Sequence, residues 1–118
     1  MIKFYGYKKC STCRNAEKAL KKANKKYTFQ DITEAPPSKS LLGKIVKSGQ
    51  YTLPELFNRS GVLYREMKMK EKVKKLSEGE LLELLAKNGK LVKRPIVTDG
   101  KKVTVGFREE EFRKTWKA

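Results

Sequence analysis

The start of the chain carries two short apolar segments separated by one amphipathic segment, and this order strongly limits the fold. Ile2 to Tyr7 is rich in β-branched and aromatic residues, which predicts a strand. Ser11 to Asn24 places apolar residues at helical spacing, and Tyr27 to Ile32 alternates apolar and polar residues as a second strand does. Two strands joined by a crossover helix pair in parallel. The sequence therefore predicts a βαβ unit.

Helix signals fill the middle of the chain. Ser38 is suited to cap a helix that Gly49 would end. Two further helix starts match the capping box, Thr52-Leu-Pro-Glu55 for a short helix and Ser77-Glu-Gly-Glu80 for a longer one. The stretch between them, Leu63 to Leu76, is predicted to be partly helical.

The end of the chain predicts a hairpin and a closing helix. Ile96-Val-Thr98 and Val103-Thr-Val105 flank Asp99-Gly100, a strong hairpin signal. Glu109 to Trp116 follows as a helix with carboxylates in its first turn, where the helix dipole favours them. A length of 118 residues suits a single domain. We expect an α/β fold, with a mixed sheet of about four strands and a helical insertion over about 38–88.

Only two cysteines occur, Cys10 and Cys13, and histidine is absent. A disulfide across so short a spacing closes too small a loop to stabilise the fold much. Two soft ligands are too few for a structural zinc site within one chain, so no bound metal or cofactor is expected. Without histidine, the chain also lacks the residues for Ser-His-Asp or Cys-His catalysis.

The chain is strongly basic, with a formal net charge of +16. Such a charge attracts phosphates and acidic partners. However, the lysines are dispersed along helical stretches without an Arg-rich tract or a zinc-finger spacing, so direct nucleic-acid binding is not expected. No apolar signal core or membrane-spanning run occurs. We therefore expect a cytoplasmic protein without a membrane partner.

Cys10 and Cys13 lie where the first predicted strand turns into the first helix. The N–H groups and partial positive charge of a helix N-terminus favour a thiolate at Cys10, and the charges of Arg14, Lys8 and Lys9 act in the same direction. Cys13 is placed one turn further on, where it can attack an adduct on Cys10. This predicts an attacking and a resolving thiol. The alternative is two incidental small apolar residues at a helix start.

Pro95 stands at the first position of a predicted strand. Proline is tolerated there because it lacks the ladder N–H, and an X-Pro bond is the realistic site of a cis peptide. Two cysteines at this spacing in a βαβ unit are typical of a thioredoxin-like fold, and in that fold this loop faces the cysteines. The alternative is an ordinary trans proline that enters an edge strand.

Three groups of residues, in chain order, resemble one known family. They are Tyr7-x-x-Cys-Ser-Thr-Cys-Arg-x-Ala16, then Phe57-Asn-Arg-Ser-Gly61 with Tyr64-Arg-Glu66, then Lys93-Arg-Pro-Ile-Val-Thr-Asp-Gly100 with Val103-Thr-Val-Gly-Phe107. The series spans essentially the whole chain and is similar to the arsenate reductase-related family, which includes ArsC-type reductases and Spx regulators. The resemblance implies a thioredoxin-like (glutaredoxin-like) fold with an inserted helical subdomain.

The resemblance also implies roles for single residues. In ArsC-type reductases the cysteine matching Cys10 attacks arsenate, and arginines matching Arg94 and Arg108 bind the oxyanion. Arg14 and Pro95 complete the predicted anion or substrate site. Cys13 matches the second cysteine of Spx, so the resemblance implies an internal disulfide when Cys13 resolves the adduct. It also implies a thioredoxin- or glutathione/glutaredoxin-type reductant as the external partner.

One family arginine is replaced in this chain, because its position falls on Asn58. The prediction therefore shifts from arsenate alone to thiol-dependent reduction of an oxyanion or a disulfide. The alternative is a redox-sensing transcription regulator like Spx, which binds the C-terminal domain of the RNA polymerase α subunit. A third hypothesis is a redox-inert relative that keeps the fold. The segments around Asn58 and Arg108 are closer to the reductase-like branch, which favours an enzyme.

Overall fold

The structure is a computed structural model that describes residues 1–117. The backbone divides into two compact units. The first unit combines Met1–Asp31 with the chain from Arg94 onwards, and the second is Ile32–Lys93. The predicted helical block over 38–88 lies within the second unit, while the single domain expected from the chain length stays a prediction.

A four-stranded mixed sheet forms the centre of the first unit, in the order β2-β1-β3-β4. Its strands are β1 (Ile2–Gly6), β2 (Tyr27–Asp31), β3 (Ile96–Thr98) and β4 (Val103–Val105). β1 pairs in parallel with β2, so that Phe4 lies opposite Phe29, and it pairs antiparallel with β3. The parallel pair confirms the predicted βαβ unit, and its combination with antiparallel pairs confirms the mixed sheet.

Helices flank this sheet and build the second unit. Within residues 1–117 the α-helices are α1 (Ser11–Lys22), α2 (Lys39–Lys47), α3 (Val62–Glu66), α4 (Met69–Lys75), α5 (Glu78–Lys87) and α6 (Glu109–Thr115). In the first unit, α1 and α6 cover a core that includes Phe4, Cys13, Leu20, Phe112 and Trp116. Cys13 is therefore a core residue as well as a candidate site residue. In the described part of the chain, no helix is long and apolar enough to cross a membrane.

The predicted hairpin is formed by β3 and β4, with Ile96 opposite Val105. The Asp99 carboxylate accepts hydrogen bonds from the backbone N–H groups of Lys101 and Lys102 at 2.9 and 2.7 Å. Gly100 has φ +94°, a conformation that glycine adopts without a Cβ penalty. The local turn chemistry thus agrees with the sequence signal.

Two predicted helix caps are present in the second unit. The Ser38 hydroxyl accepts the N–H of Leu41 at 3.1 Å at the start of α2. At the start of α5 the Ser77 hydroxyl accepts the N–H of Glu80 at 3.2 Å, and the Glu80 carboxylate accepts the N–H of Ser77 at 3.1 Å. These reciprocal bonds satisfy N–H groups that a helix start leaves unpaired.

One detail of the second unit differs from the prediction. The segment after Thr52 forms only a 3₁₀ turn, Pro54–Leu56, in which the Glu55 carboxylate accepts the N–H of Thr52 but no full α-helical turn follows. The stretch predicted to be partly helical is confirmed as two helices, with a break between α3 and α4 where Lys68 adopts φ +52°. This break places Met69 in the interior with no exposed surface. Burial of Met69 thus accompanies a backbone conformation that lysine rarely adopts.

The beginning and the end of the second unit touch at Gly89. A Cβ at this position would collide with the carbonyl oxygen of Ile32 and crowd the backbone of Thr33. Only glycine allows two backbones to approach so closely. The unit therefore returns to the point from which it starts.

Candidate active site

Cys10 is held at the strand-to-helix turn of the first unit. It occupies the N-cap position of α1 with extended backbone angles. Its N–H donates to the carbonyl of Tyr7 at 3.1 Å, and its own carbonyl accepts the N–H of Arg14 at 3.0 Å. Cys10 is partly exposed, whereas Cys13 has no exposed surface. Both are free thiols in this structure, so the internal disulfide stays a prediction.

Arg94 is brought to the same place by the loop before β3. Its side chain hydrogen-bonds to the Cys10 sulfur, and its guanidinium carbon lies 5.7 Å from the centre of the Tyr7 ring. The Arg94–Pro95 peptide bond is cis. The carbonyl of Pro95 accepts the N–H of Gly106 at 2.8 Å, which ties this loop to the end of β4. The structure thus brings together Cys10, Cys13 and Arg94.

The pKa of Cys10 lies below its ordinary value. Partial burial alone would raise this pKa, but the backbone N–H of Cys13, the Cys13 thiol and the Arg94 guanidinium together outweigh burial. The N–H of Cys13, at the start of α1, favours the charged sulfur, as a helix N-terminus does. Cys10 is therefore the better nucleophile of the pair at neutral pH.

The pKa of Cys13 moves the other way. Burial raises the pKa of Cys13 to about 12, and a negative charge on Cys10 acts in the same direction. The backbone of Tyr7 and the charge of Arg94 offset only part of this. The two sulfurs are thus chemically different, one favouring the thiolate and the other the thiol.

Gly6 makes room for the buried thiol. A Cβ at Gly6 would lie 2.5 Å from Cε1 of Phe4 and 3.2 Å from Sγ of Cys13. Both distances are shorter than ordinary van der Waals contact. The missing side chain at residue 6 therefore leaves space mainly for the Phe4 ring, and it relieves a tight contact with the Cys13 sulfur.

A buried carboxylate, Glu17, lies one turn after Cys13 on α1. Only 7% of its surface is exposed; it accepts the hydroxyl of Tyr27 at 2.7 Å and pairs with Nζ of Lys8 at 3.3 Å. Nζ of Lys8 also lies 4.0 Å from the centre of the Phe29 ring. The charge of Lys8 is thus directed at Glu17. The Cys10 thiolate, which the sequence predicted to be favoured by the neighbouring lysines, is favoured by Arg94. Sequence reasoning missed Glu17, although it is the lone acid of α1.

The remaining predicted site residues lie at the surface of the first unit. Arg14 is exposed on α1. Arg108 is the N-cap residue of α6; its side chain is 74% exposed and its guanidinium lies 3.9 Å from the carboxylate of Glu111. The structure places neither guanidinium against a cysteine sulfur, and the anion-binding roles of Arg14 and Arg108 stay predictions.

Asn58 belongs to the second unit, where it stabilises a turn. Its N–H donates to the carbonyl of Leu91 at 2.7 Å, and its carbonyl accepts the N–H of Gly61 at 3.1 Å. Its side-chain oxygen accepts the Ser60 hydroxyl at 3.4 Å. Asn58 therefore has a structural role of its own at the position of the family arginine.

A βαβ start, a following ββα segment and a Cys-x-x-Cys at the first helix start together define a thioredoxin-like fold with a paired-thiol site. This is the fold of thiol oxidoreductases. The family model for the ArsC family matches residues 5–115, and the chain belongs to that family.

Three relatives place the chain more closely. It is 48% identical over 115 residues to the uncharacterised protein YusI of Bacillus subtilis, covering 98% of each chain. A solved structure from Streptococcus mutans UA159, described as a possible arsenate reductase, is 38% identical with a TM-score of 0.86, covering 94% of this chain and 96% of that one. The global transcriptional regulator Spx of Streptococcus mutans is 27% identical over 113 residues, covering 96% of this chain and 81% of Spx.

Proposed function

We propose that this protein is a thiol-dependent oxidoreductase in which Cys10 attacks an oxyanion or disulfide substrate and Cys13 resolves the adduct. The observation that carries the proposal is the opposite shift of the two thiol pKa values. Cys10 is partly exposed and its thiolate is favoured, with Arg94 beside it, whereas Cys13 is buried and held as a thiol. An attacking sulfur must be accessible to substrate and ionised, whereas a resolving sulfur must stay protonated until the adduct has formed.

With a disulfide substrate, the Cys10 thiolate attacks one sulfur and releases the other as a thiolate. Cys13 then loses its proton and attacks the Cys10 sulfur, releasing the second substrate thiol and leaving a Cys10–Cys13 disulfide. The first step removes the negative charge of Cys10, which is one cause of the raised pKa of Cys13. Formation of the adduct therefore makes the resolving thiol easier to deprotonate.

With arsenate, Cys10 would displace one oxygen as water and form a sulfur–arsenic bond. Attack of Cys13 on the Cys10 sulfur would return that electron pair to arsenic, giving arsenite and the same internal disulfide. Arg94 suits the oxyanion because a guanidinium binds it through paired charged hydrogen bonds. Asn58, which occupies the position of a family arginine, favours the disulfide route over arsenate. In either case a thioredoxin- or glutaredoxin-type reductant returns both thiols, and the cytoplasm, where thiols are kept reduced, is the fitting compartment.

The test is turnover of arsenate and of a small disulfide, coupled to thioredoxin or to glutathione and glutaredoxin, in three proteins. The wild type should turn over at least one substrate, Cys10→Ser should lose all of it, and Cys13→Ser should accumulate an adduct on Cys10 that mass spectrometry detects. Unchanged turnover by Cys10→Ser would eliminate the mechanism. Absence of turnover by the wild type on every substrate would support a redox-inert relative.

A second candidate is an Spx-like regulator that binds the C-terminal domain of the RNA polymerase α subunit. Its support is the match to Spx over 96% of this chain. The 38% identity to the possible arsenate reductase, against 27% to Spx, makes it the weaker candidate. A pull-down with that α domain, under reducing and oxidising conditions, separates the two, because a pure oxidoreductase binds in neither state.

A further inference from the structure

One exposed face of α1 carries only positive charge. Arg14, Lys18 and Lys22 are all exposed and follow each other at intervals of four residues, so they form one ridge along the helix. Within residues 1–117, no carboxylate lies at ion-pair distance from any of the three. At the helix rise of 1.5 Å per residue, the ridge starts about 6 Å along the helix from Cys10 and is itself about 12 Å long.

The closing helix α6, by contrast, balances its charges. In α6, Glu109 pairs with Arg113 at 2.9 Å and Glu110 with Lys114 at 3.3 Å, both at the spacing of four residues. Such pairs stabilise a helix, whereas like charges at the same spacing destabilise it. The three charges of the α1 ridge therefore do not stabilise their own helix and stay open to carboxylates from a partner.

The far end of the ridge opens into an apolar groove between α1 and the end of α6. The groove has a volume of about 240 Å³, and its floor is formed by Ala19, Ala23, Phe112 and Trp116. Its rim carries Lys22, Lys117 and Arg113, of which Arg113 is already paired with Glu109. Because Lys22 belongs to both the ridge and the rim, the two features form one continuous surface, here called the α1 surface.

The dimensions and charge of the α1 surface select among occupants. The groove is smaller than the 300–1,000 Å³ of typical small-molecule sites and fits one or two apolar side chains. Phe112 and Trp116 are only 1% and 2% exposed, so they offer no ring face on which nucleic-acid bases could stack. A second copy of this chain, with its net charge of +16, would be repelled. An acidic protein segment with an apolar side chain fits both features, because its carboxylates can pair with the ridge while the apolar side chain enters the groove.

We propose that the α1 surface docks an acidic protein partner, whose apolar side chain enters the groove while its carboxylates pair with Arg14, Lys18 and Lys22. The partner then extends along the helix to the Cys10 end. The inference rests on the proposed function in one respect, that the docked protein is the substrate or the reductant of the thiol pair. Docking itself requires no redox step.

The test measures binding of a short fluorescein-labelled peptide, rich in glutamate with one central phenylalanine, to the reduced protein by fluorescence anisotropy. The double variant Lys18→Glu/Lys22→Glu should bind about tenfold more weakly, since two modest surface attractions become repulsions. The matched control is Lys70→Glu/Lys74→Glu, which makes the same change in net charge at the same spacing on α4. It should bind within about twofold of the wild type.

Two further probes identify the occupant. The same peptide with serine in place of phenylalanine should bind more weakly and leave the fluorescence of Trp116, the only tryptophan, unchanged. Equal weakening by both double variants would reduce the effect to net charge and overturn the proposal. Tighter binding of a short DNA duplex than of the peptide, lost on reversing Lys18 and Lys22, would overturn it in favour of a nucleic-acid surface.

A redox measurement keeps this inference separate from the proposed function. Reduction of a small disulfide needs Cys10 but not the α1 surface, so both double variants should keep the wild-type rate. Peptide binding without turnover would leave the docking surface standing and remove the proposed function. Turnover without selective peptide binding would support the proposed function and remove the docking surface.

Discussion

Replacing Arg94 with glutamine should make Cys10 react more slowly than in the wild type at low pH and faster than in the wild type at high pH. A hydrogen bond to a charged group contributes about 1.5–3 kcal/mol. Cys10 and Arg94 are both partly exposed, so solvent screening reduces the effect to about 1 kcal/mol. Loss of Arg94 raises the pKa of Cys10, and at pH values below the titration midpoint it lowers the thiolate fraction about fivefold.

The less stabilised thiolate is also more nucleophilic. With a Brønsted coefficient of about 0.4–0.5, a thiolate that is fivefold more basic reacts about twofold faster. Alkylation of Arg94→Gln should therefore be about two- to threefold slower than wild type below the midpoint. Above both midpoints, where each protein is fully thiolate, the variant should be about twofold faster.

The assay is the rate of iodoacetamide alkylation against pH, with mass spectrometry to verify that the single modified site is Cys10. Arg108→Gln is the matched control, because that arginine is exposed and pairs with Glu111. Its profile should overlay the wild type. A midpoint for Arg94→Gln at or below that of the wild type, or parallel curves that never cross, would refute the assignment of Arg94 to the Cys10 thiolate.

Three further predictions concern stability. Because the pKa of Cys13 rises from 9.0 to about 12 on folding, the unfolded chain ionises first, and the reduced wild type should lose about 1 kcal/mol more than Cys13→Ala between pH 9 and pH 10 in urea unfolding; equal losses would contradict the raised pKa. Gly6→Ala should lower stability by about 1–3 kcal/mol through overpacking against Phe4. Gly79→Ala is its control, because the nearest atom to the new Cβ is 4.0 Å away, and a drop of the same size in both would show that the contact with Phe4 is not responsible. Ser77→Ala should lower the free energy of unfolding by about 1 kcal/mol, and Ser77→Asp should retain most of it; no change in the alanine variant would mean that the capping box contributes nothing.

The elements predicted best from sequence are those whose signal is local. The turn at Asp99-Gly100 and the capping box at Ser77 each specify a hydrogen-bond pattern within a few residues. Lys68 shows the limit, since lysine has no preference for φ +52° and the break coincides with the burial of Met69. Tertiary packing overrides helix propensity there.

The candidate site divides in the same way. Cys10 and Cys13 are visible as a spacing, and Arg94 is visible through its resemblance to a family arginine. Gly6 and Glu17 are not, because their importance depends on what lies beside them in the folded first unit. The sequence places Lys8 close to Cys10 along the chain, yet in space the buried Glu17 attracts its charge.

The meeting of Gly89 with Ile32 has an evolutionary consequence. A segment that leaves and returns at neighbouring points can lengthen, shorten or change its surface without altering the spacing of the strands on either side of it. Different members of a lineage could therefore remodel their helical segment for new partners while the cysteine pair and its strands stay as they are. The invariant requirement would be a residue without a side chain at the point of return.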